Sequence, residues 1–225
     1  MRSALRRVLL FAIALAWLSA AGDVSAAGRN TPGAFDYYVL VLSWMPSYCR
    51  DEGERRKDRQ CHVSKRYGFL MHGLWPQYEV GWPRDCPTGR RPWVPEGVIA
   101  EMRDIMPSRN LVIHEYRTHG TCSGLGPAQY FAVARKLYEH ISVPARFRRP
   151  DTGRLASPKE VEGAFLSANP WLKPEMISVT CRNARLRDIR LCFGRDLVPR
   201  NCGVNEDQGR LCPAPKITVP APAGR

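Results

Sequence analysis

Two of the chain's five histidines lie in the stretch His114-Glu-Tyr-Arg-Thr-His-Gly-Thr-Cys122. An apolar lead-in, Leu111 to Ile113, and the Gly at 120 predict a short buried helix that stops at that Gly. At about 100° per residue, Glu115 and His119 stand one turn apart, about 40° around the axis. His114 falls about 100° to the other side of Glu115, with Thr118 between them, and Arg117 points nearly opposite Glu115. His114, Glu115, Thr118 and His119 therefore share one arc of about 140°. Two imidazoles and a carboxylate on one arc suit acid–base chemistry near neutral pH. A zinc-protease helix competes for the same residues, but it needs two His four apart on one face. Here they are five apart, which turns the second imidazole away from the first. A third imidazole, His72, sits in the apolar run Phe69-Leu-Met-His-Gly-Leu-Trp-Pro76. Taken alone, a His there reads as a satisfied core residue. The adjacent Gly73, which lets backbone approach a ligand closely, tilts the reading slightly toward a site.

The elements that must hold these residues follow from pattern. Phe35 to Trp44 is β-branched and aromatic, which predicts a central buried strand closed by Pro46. Tyr67 to Pro76 predicts a second strand carrying His72. Gln77 to Pro95 is a Pro/Gly-rich loop with Cys86, Trp82 and Trp93. Glu96 to Met106 and Pro127 to Ile141 have helical periodicity, the latter packing Tyr130, Phe131, Ala134, Leu137, Tyr138 and Ile141, with His140 at the surface. Arg146 to Gly153 reads as a basic loop. Ser157-Pro-Lys-Glu160 is a capping box with Pro at the first helical position, opening a helix to about Ala168. Met176 to Cys181 and Leu186 to Phe193 read as an antiparallel pair, and Lys216 to Val219 as a last short strand. No internal repeat or dividing linker is present. One domain over 27–219 is expected, followed by a loose Pro/Ala tail over 220–225.

Composition narrows the class. The chain has 225 residues, 44% of them hydrophobic, enough for one sizeable core. Arg2, Arg6 and Arg7, the apolar run Val8 to Ala21 and the small residues Val24-Ser25-Ala26 predict an export signal over residues 1–26. No second long apolar run follows, so no membrane span is expected in the mature chain. Eight cysteines, all beyond that signal, fit an oxidising compartment, periplasmic or secreted, and up to four disulfides. There is no C-x-x-C pair to suggest structural zinc. A formal net charge of +13 favours a polyanionic partner such as nucleic acid, although general solubility accounts for part of it. The cluster Arg55, Arg56, Lys57 and Arg59, in the charged loop between Cys49 and Cys61, reads as a solvated face before it reads as an RNA contact.

The segments around His72 and around His114 to His119, in that order, resemble the two active-site segments of the ribonuclease T2 family. The likeness runs from Phe35 to about Cys212 and includes Ser43-Trp44, the Tyr130-Phe131 helix and the cysteine ladder. The resemblance implies an α+β fold, a central antiparallel sheet with packed helices. It also implies metal-independent cleavage of single-stranded RNA without a cofactor; a monomer is expected. By that pattern His119 is the general base, His72 the general acid, His114 a phosphate ligand and Glu115 a stabiliser of the charged transition state. The product is a 2′,3′-cyclic phosphate, hydrolysed more slowly to a 3′-phosphate. Trp75 corresponds to a base-stacking position, Gln77 to one where some members carry a specificity-setting Asp, and Ser43 and Leu111 loosely to a second base pocket. The same pattern implies disulfides Cys49–Cys61, Cys86–Cys122, Cys181–Cys212 and Cys192–Cys202. One residue departs from it: the family usually has Lys where this chain has Thr118, a neutral group on the arc expected to face phosphate. A catalytically weakened, RNA- or polyanion-binding relative is the alternative that this departure leaves open.

Overall fold

The computed structural model describes residues 30–53, 55, 57–61, 67–148 and 152–221. The expected signal over 1–26, Arg56 of the basic cluster and residues 222–225 lie outside the described residues. Six strands form one sheet: β1 (Tyr37–Trp44), β2 (Phe69–Gln77), β3 (Arg154–Ala156), β4 (Ile177–Arg182), β5 (Arg185–Gly194) and β6 (Ile217–Val219). Their order is β2-β1-β5-β6-β3, with β4 also paired to β5. Four longer helices are α1 (Glu96–Glu101), α2 (Arg109–Thr118), α3 (Pro127–Glu139) and α4 (Pro158–Ala168).

β1 is buried along its whole length, as a continuous apolar run demands, and its two faces do different work. Tyr38, Leu40, Leu42 and Trp44 join the main core, with Met71 and Leu74 of β2, Ile189, Leu191 and Phe193 of β5, and apolar residues of all four helices. Tyr37, Val39 and Val41 face the other way, onto a small cluster with Cys192, Cys202 and Trp75. That second face carries the polar chemistry.

The capping box forms as expected, Ser157 Oγ accepting from the Glu160 N–H and the Glu160 carboxylate accepting from the Ser157 N–H. All four disulfides pair as the resemblance implied. Three expectations need correction. The expected basic loop, Arg146 to Gly153, begins in a helical turn over Ala145–Arg148, and β3 follows it where no element is expected, because a three-residue strand leaves almost no local signal; it exists by pairing antiparallel with β6. The sheet is not wholly antiparallel, since β6 runs parallel to β5. Pro220, expected in a loose tail, is buried, and its carbonyl accepts a 3.0 Å hydrogen bond from Trp44 Nε1.

Candidate active site

The register of β1 against β2 shifts by one residue at His72. Val41 pairs with Gly73 and Leu42 with Met71, leaving His72 as the unpaired extra residue of a β-bulge. Because side chains alternate with a period of two, the insertion puts both His72 and Gly73 on the Trp75 side while Met71 stays in the core. The bulge aims His72 at the site without costing the core a residue.

α2 runs alongside β2 and delivers Glu115, whose side chain is only 1% exposed. Its Oε2 accepts a 2.7 Å hydrogen bond from Trp75 Nε1. Its Oε1 lies 3.3 Å from His72 Nε2, an ion-pair contact whose alignment falls short of a hydrogen bond. Gly73 is required here: a Cβ at that position would stand 2.0 Å from Glu115 Oε2. The close approach expected of Gly73 is therefore to the protein's own carboxylate rather than to a ligand.

His119 is the C-cap of α2, at φ −117°, so its ring departs from the ideal helical direction. It stacks on Trp75 with centroids 5.0 Å apart, while His72 meets the same indole edge-on at 5.4 Å. Two imidazoles from separate segments thus flank one Trp, and that Trp is fixed by the carboxylate between them. Arg190 of β5 places its guanidinium over the Trp75 ring, 5.3 Å from the centroid. His119 Nδ1 is buried and has no hydrogen-bond partner among the described residues.

The charges are coupled. Burial alone would lower the His72 pKa, but the Glu115 carboxylate, helped by Asp188, more than offsets it, and the net shift is upward. Burial would raise Glu115, yet the facing imidazoles and the Trp75 hydrogen bond hold it below its usual value. His119 is lowered to about 4, first by burial and then by the neighbouring positive charges of His72, His114 and Arg84, with Glu115 opposing. One imidazole is held ready to keep a proton and the other to accept one.

His72, Glu115, His119 and Trp75 come together. His114 stands apart on the exposed side of α2, lining a cavity of about 490 Å³ with Trp93, Arg109, Asn110, Ile113 and Arg117. Of the five positions expected to meet substrate, Trp75 and Ser43 touch this cluster, Trp75 through its ring and Ser43 through its hydroxyl. Thr118 is 6% exposed, with the adjacent loop bound over it through a 2.8 Å hydrogen bond from the Asp85 N–H to its carbonyl. Gln77 is buried too, its Oε1 accepting from Asn205 Nδ2 at 3.3 Å. Leu111 is half-buried against the main core. Ser43 is not open to a base, because its hydroxyl touches His72 Nδ1 at 2.9 Å and Asp188 Oδ1 at 2.5 Å. Asp188 and Arg190 were not singled out from sequence. Their only signal was being the polar residues of an alternating strand, which any half-buried strand has.

The model of the Ribonuclease T2 family matches residues 35–202. The chain belongs to the ribonuclease T2 family. Among T2-type relatives, a protein named Ribonuclease from Aeromonas hydrophila is 39% identical over 149 residues, 66% of this chain and 60% of that protein. A Probable ribonuclease of Haemophilus influenzae is matched over 64% of its length, so the chain spans less than two thirds of either relative. Ribonuclease I of Escherichia coli is 26% identical over 261 residues, 90% of this chain and 96% of that protein. Among solved structures, trichomaglin, described as an S-like ribonuclease, superposes with TM-score 0.66 at 22% identity, over 84% of this chain and all of that one. RNase NT in complex with 5′-AMP gives 0.56 at 23% identity, over 83% and 98%. At those identities the likeness is one of fold, and the fold is the α+β arrangement of the T2 family.

Proposed function

We propose that the protein is an endoribonuclease that cleaves single-stranded RNA by acid–base transesterification without a metal. The observation that carries this reading is the pair of imidazoles, His72 and His119, brought from separate segments to flank Trp75 and share Glu115. In-line attack at phosphorus needs a base on one side and an acid on the other, which one segment could not supply.

His119, neutral above about pH 4, takes the proton of the ribose 2′-hydroxyl. The 2′-oxygen bonds to phosphorus, the P–O5′ bond breaks, and His72 gives its Nε2 proton to the departing O5′. The 2′,3′-cyclic phosphate is then opened by water with the two roles exchanged, leaving a 3′-phosphate. Glu115 keeps the proton on His72 and fixes the indole. His114, on the open flank with Arg117, would hold phosphate. No Lys stands at position 118, and the arginines of β5 near the cluster, Arg190 over Trp75 and Arg187, are each paired with a carboxylate, Glu206 and Asp188. Base preference is expected to be broad, since stacking on Trp75 suits any base. Full pairing of the eight cysteines and the apolar N-terminal run support export to the periplasm or medium.

The test is dinucleotide and RNA cleavage in EDTA, with end-group analysis of the products. Turnover should be unaffected by the chelator, and His72→Ala or His119→Ala should lower it by at least about 100-fold. Tight RNA binding with no turnover in the wild type would favour the weakened relative. Activity lost in EDTA and restored by zinc would overturn the metal-free mechanism.

A further inference from the structure

We propose that Ser43 and Asp188 are positioning residues for His72, a buried chain that fixes its Nδ1–H tautomer and so presents the transferable proton at Nε2. The proposal rests on the reading of His72 as the general acid. It arises from three strands meeting at one register position: Ser43 of β1 pairs with Asp188 of β5, which pairs in turn with Thr180 of β4. The β2 bulge swings His72 onto the same face.

Hydrogen accounting gives the direction. The Ser43 hydroxyl has one hydrogen, and it goes to Asp188 Oδ1 at 2.5 Å. What remains on Ser43 Oγ is acceptor capacity, so the 2.9 Å contact with His72 requires the hydrogen on Nδ1. Asp188 is itself held. Its Oδ2 accepts from Thr180 Oγ1 at 3.2 Å and lies 3.3 Å from Arg187 Nε, and its own N–H donates to Thr180 Oγ1 at 3.0 Å. Ser43, Thr180 and Asp188 are all buried, so the chain is shielded from competing water. Neutral His72 then has its lone pair on Nε2, on the side of Glu115, and the second proton is gained and lost there. The charged groups that face His72 are Glu115 and His119 of α2 with Asp188 and Arg187 of β5.

Two substrates separate positioning of an acid from general structure. A dinucleoside phosphate has a poor alkoxide leaving group and needs the acid, whereas a uridine 3′-(4-nitrophenyl phosphate) has a good one and does not. Ser43→Ala and Asp188→Asn should lower kcat on the dinucleotide by about tenfold or more, a share of the usual effect of a proton donor. KM should stay within about threefold, and turnover of the nitrophenyl ester should be nearly unchanged. Ser43→Thr, which keeps a hydroxyl, should restore most of the loss. In a His72→Ala background, Asp188→Asn should cost nothing further. Nitrogen-15 NMR of the His72 ring reads the tautomer directly and needs no catalysis, so it judges the chain even if the protein cleaves no RNA. Wild type should show Nδ1–H in the neutral form and Asp188→Asn a mixture. Equal losses on both substrates in a variant that melts normally, or an unchanged tautomer in Asp188→Asn, would overturn the proposal.

Discussion

Glu115 is felt by both imidazoles, and the sign of each effect can be worked out. Its charge raises His72 and opposes the lowering of His119. Activity needs His119 neutral and His72 protonated, so kcat/KM should rise as pH climbs past about 4 and fall as it climbs through a His72 value above 6.5. Glu115→Gln removes the charge that holds the His72 proton and should move both limbs of the profile to lower pH. A pH–rate profile on a dinucleotide checks this; an alkaline limb that stays put would mean that Glu115 does not set the acid. The same shifts bear on stability. Glu115, depressed in the fold, stabilises above its unfolded pKa, and that contribution is lost as pH falls through the folded value. His72, raised, stabilises fully below 6.5 and loses its contribution as pH climbs through its folded value. His119 works against folding below 6.5, by up to about 1.4 kcal/mol for each pH unit down to its folded value. The pair's mutual stabilisation is thus fullest in mildly acidic solution.

At the level of elements, the β2 bulge and the placement of α2 depend on each other through Gly73. Its missing Cβ leaves the room that Glu115 Oε2 occupies, and Trp75 Nε1 would stand only 2.8 Å from such an atom. Gly73→Ala should therefore push the carboxylate off Trp75 and His72, lowering turnover by about tenfold or more while the disulfide-tied fold persists, since misplaced catalytic groups are costly. Circular dichroism and turnover on one sample decide it; a fully active Gly73→Ala would show that the carboxylate has room to move. The Ser157 capping box and the pattern of β1, β4 and β5 were legible because they are local. The bulge was legible in principle: Phe69, Met71 and Leu74 are all core residues, yet the apolar spacing lengthens from two to three across His72-Gly73. The histidines and Glu115 were readable because their types are rare in apolar runs. The Ser43 contact with Asp188 is out of reach of the sequence, because the two lie 145 residues apart and only the sheet brings them together. Thr118 was assigned by wheel geometry to a face that the loop through Asp85 and Cys86 covers, and no periodicity reports what a loop will cover.

Across the whole molecule, the sheet has one face on the main apolar core and another that bears the His72–Trp75 cluster, and the chain carries a surplus of positive charge. Much of that charge is locally matched: Arg135 meets Asp104 and Glu139, Arg182 meets Glu52, Arg185 meets Asp51 and Arg200 meets Glu79. Arg117 instead donates to the Pro92 carbonyl, and among the described residues it has no carboxylate partner, beside His114 on the rim of the cavity. If the net +13 serves a long strand, phosphates beyond the reacting one should be bound as well. Counterion release makes this measurable, with a slope of about −0.7 in log affinity against log salt for each single-strand phosphate neutralised. A dinucleotide, with one phosphate, should then lose about 2.6-fold in kcat/KM between 50 and 200 mM salt. A strand held at three phosphates should lose about twentyfold over the same interval. Arg117→Ala should reduce the slope for the strand by about one phosphate's share. Equal slopes for the two substrates would show that the basic excess keeps the protein soluble and takes no part in gripping RNA.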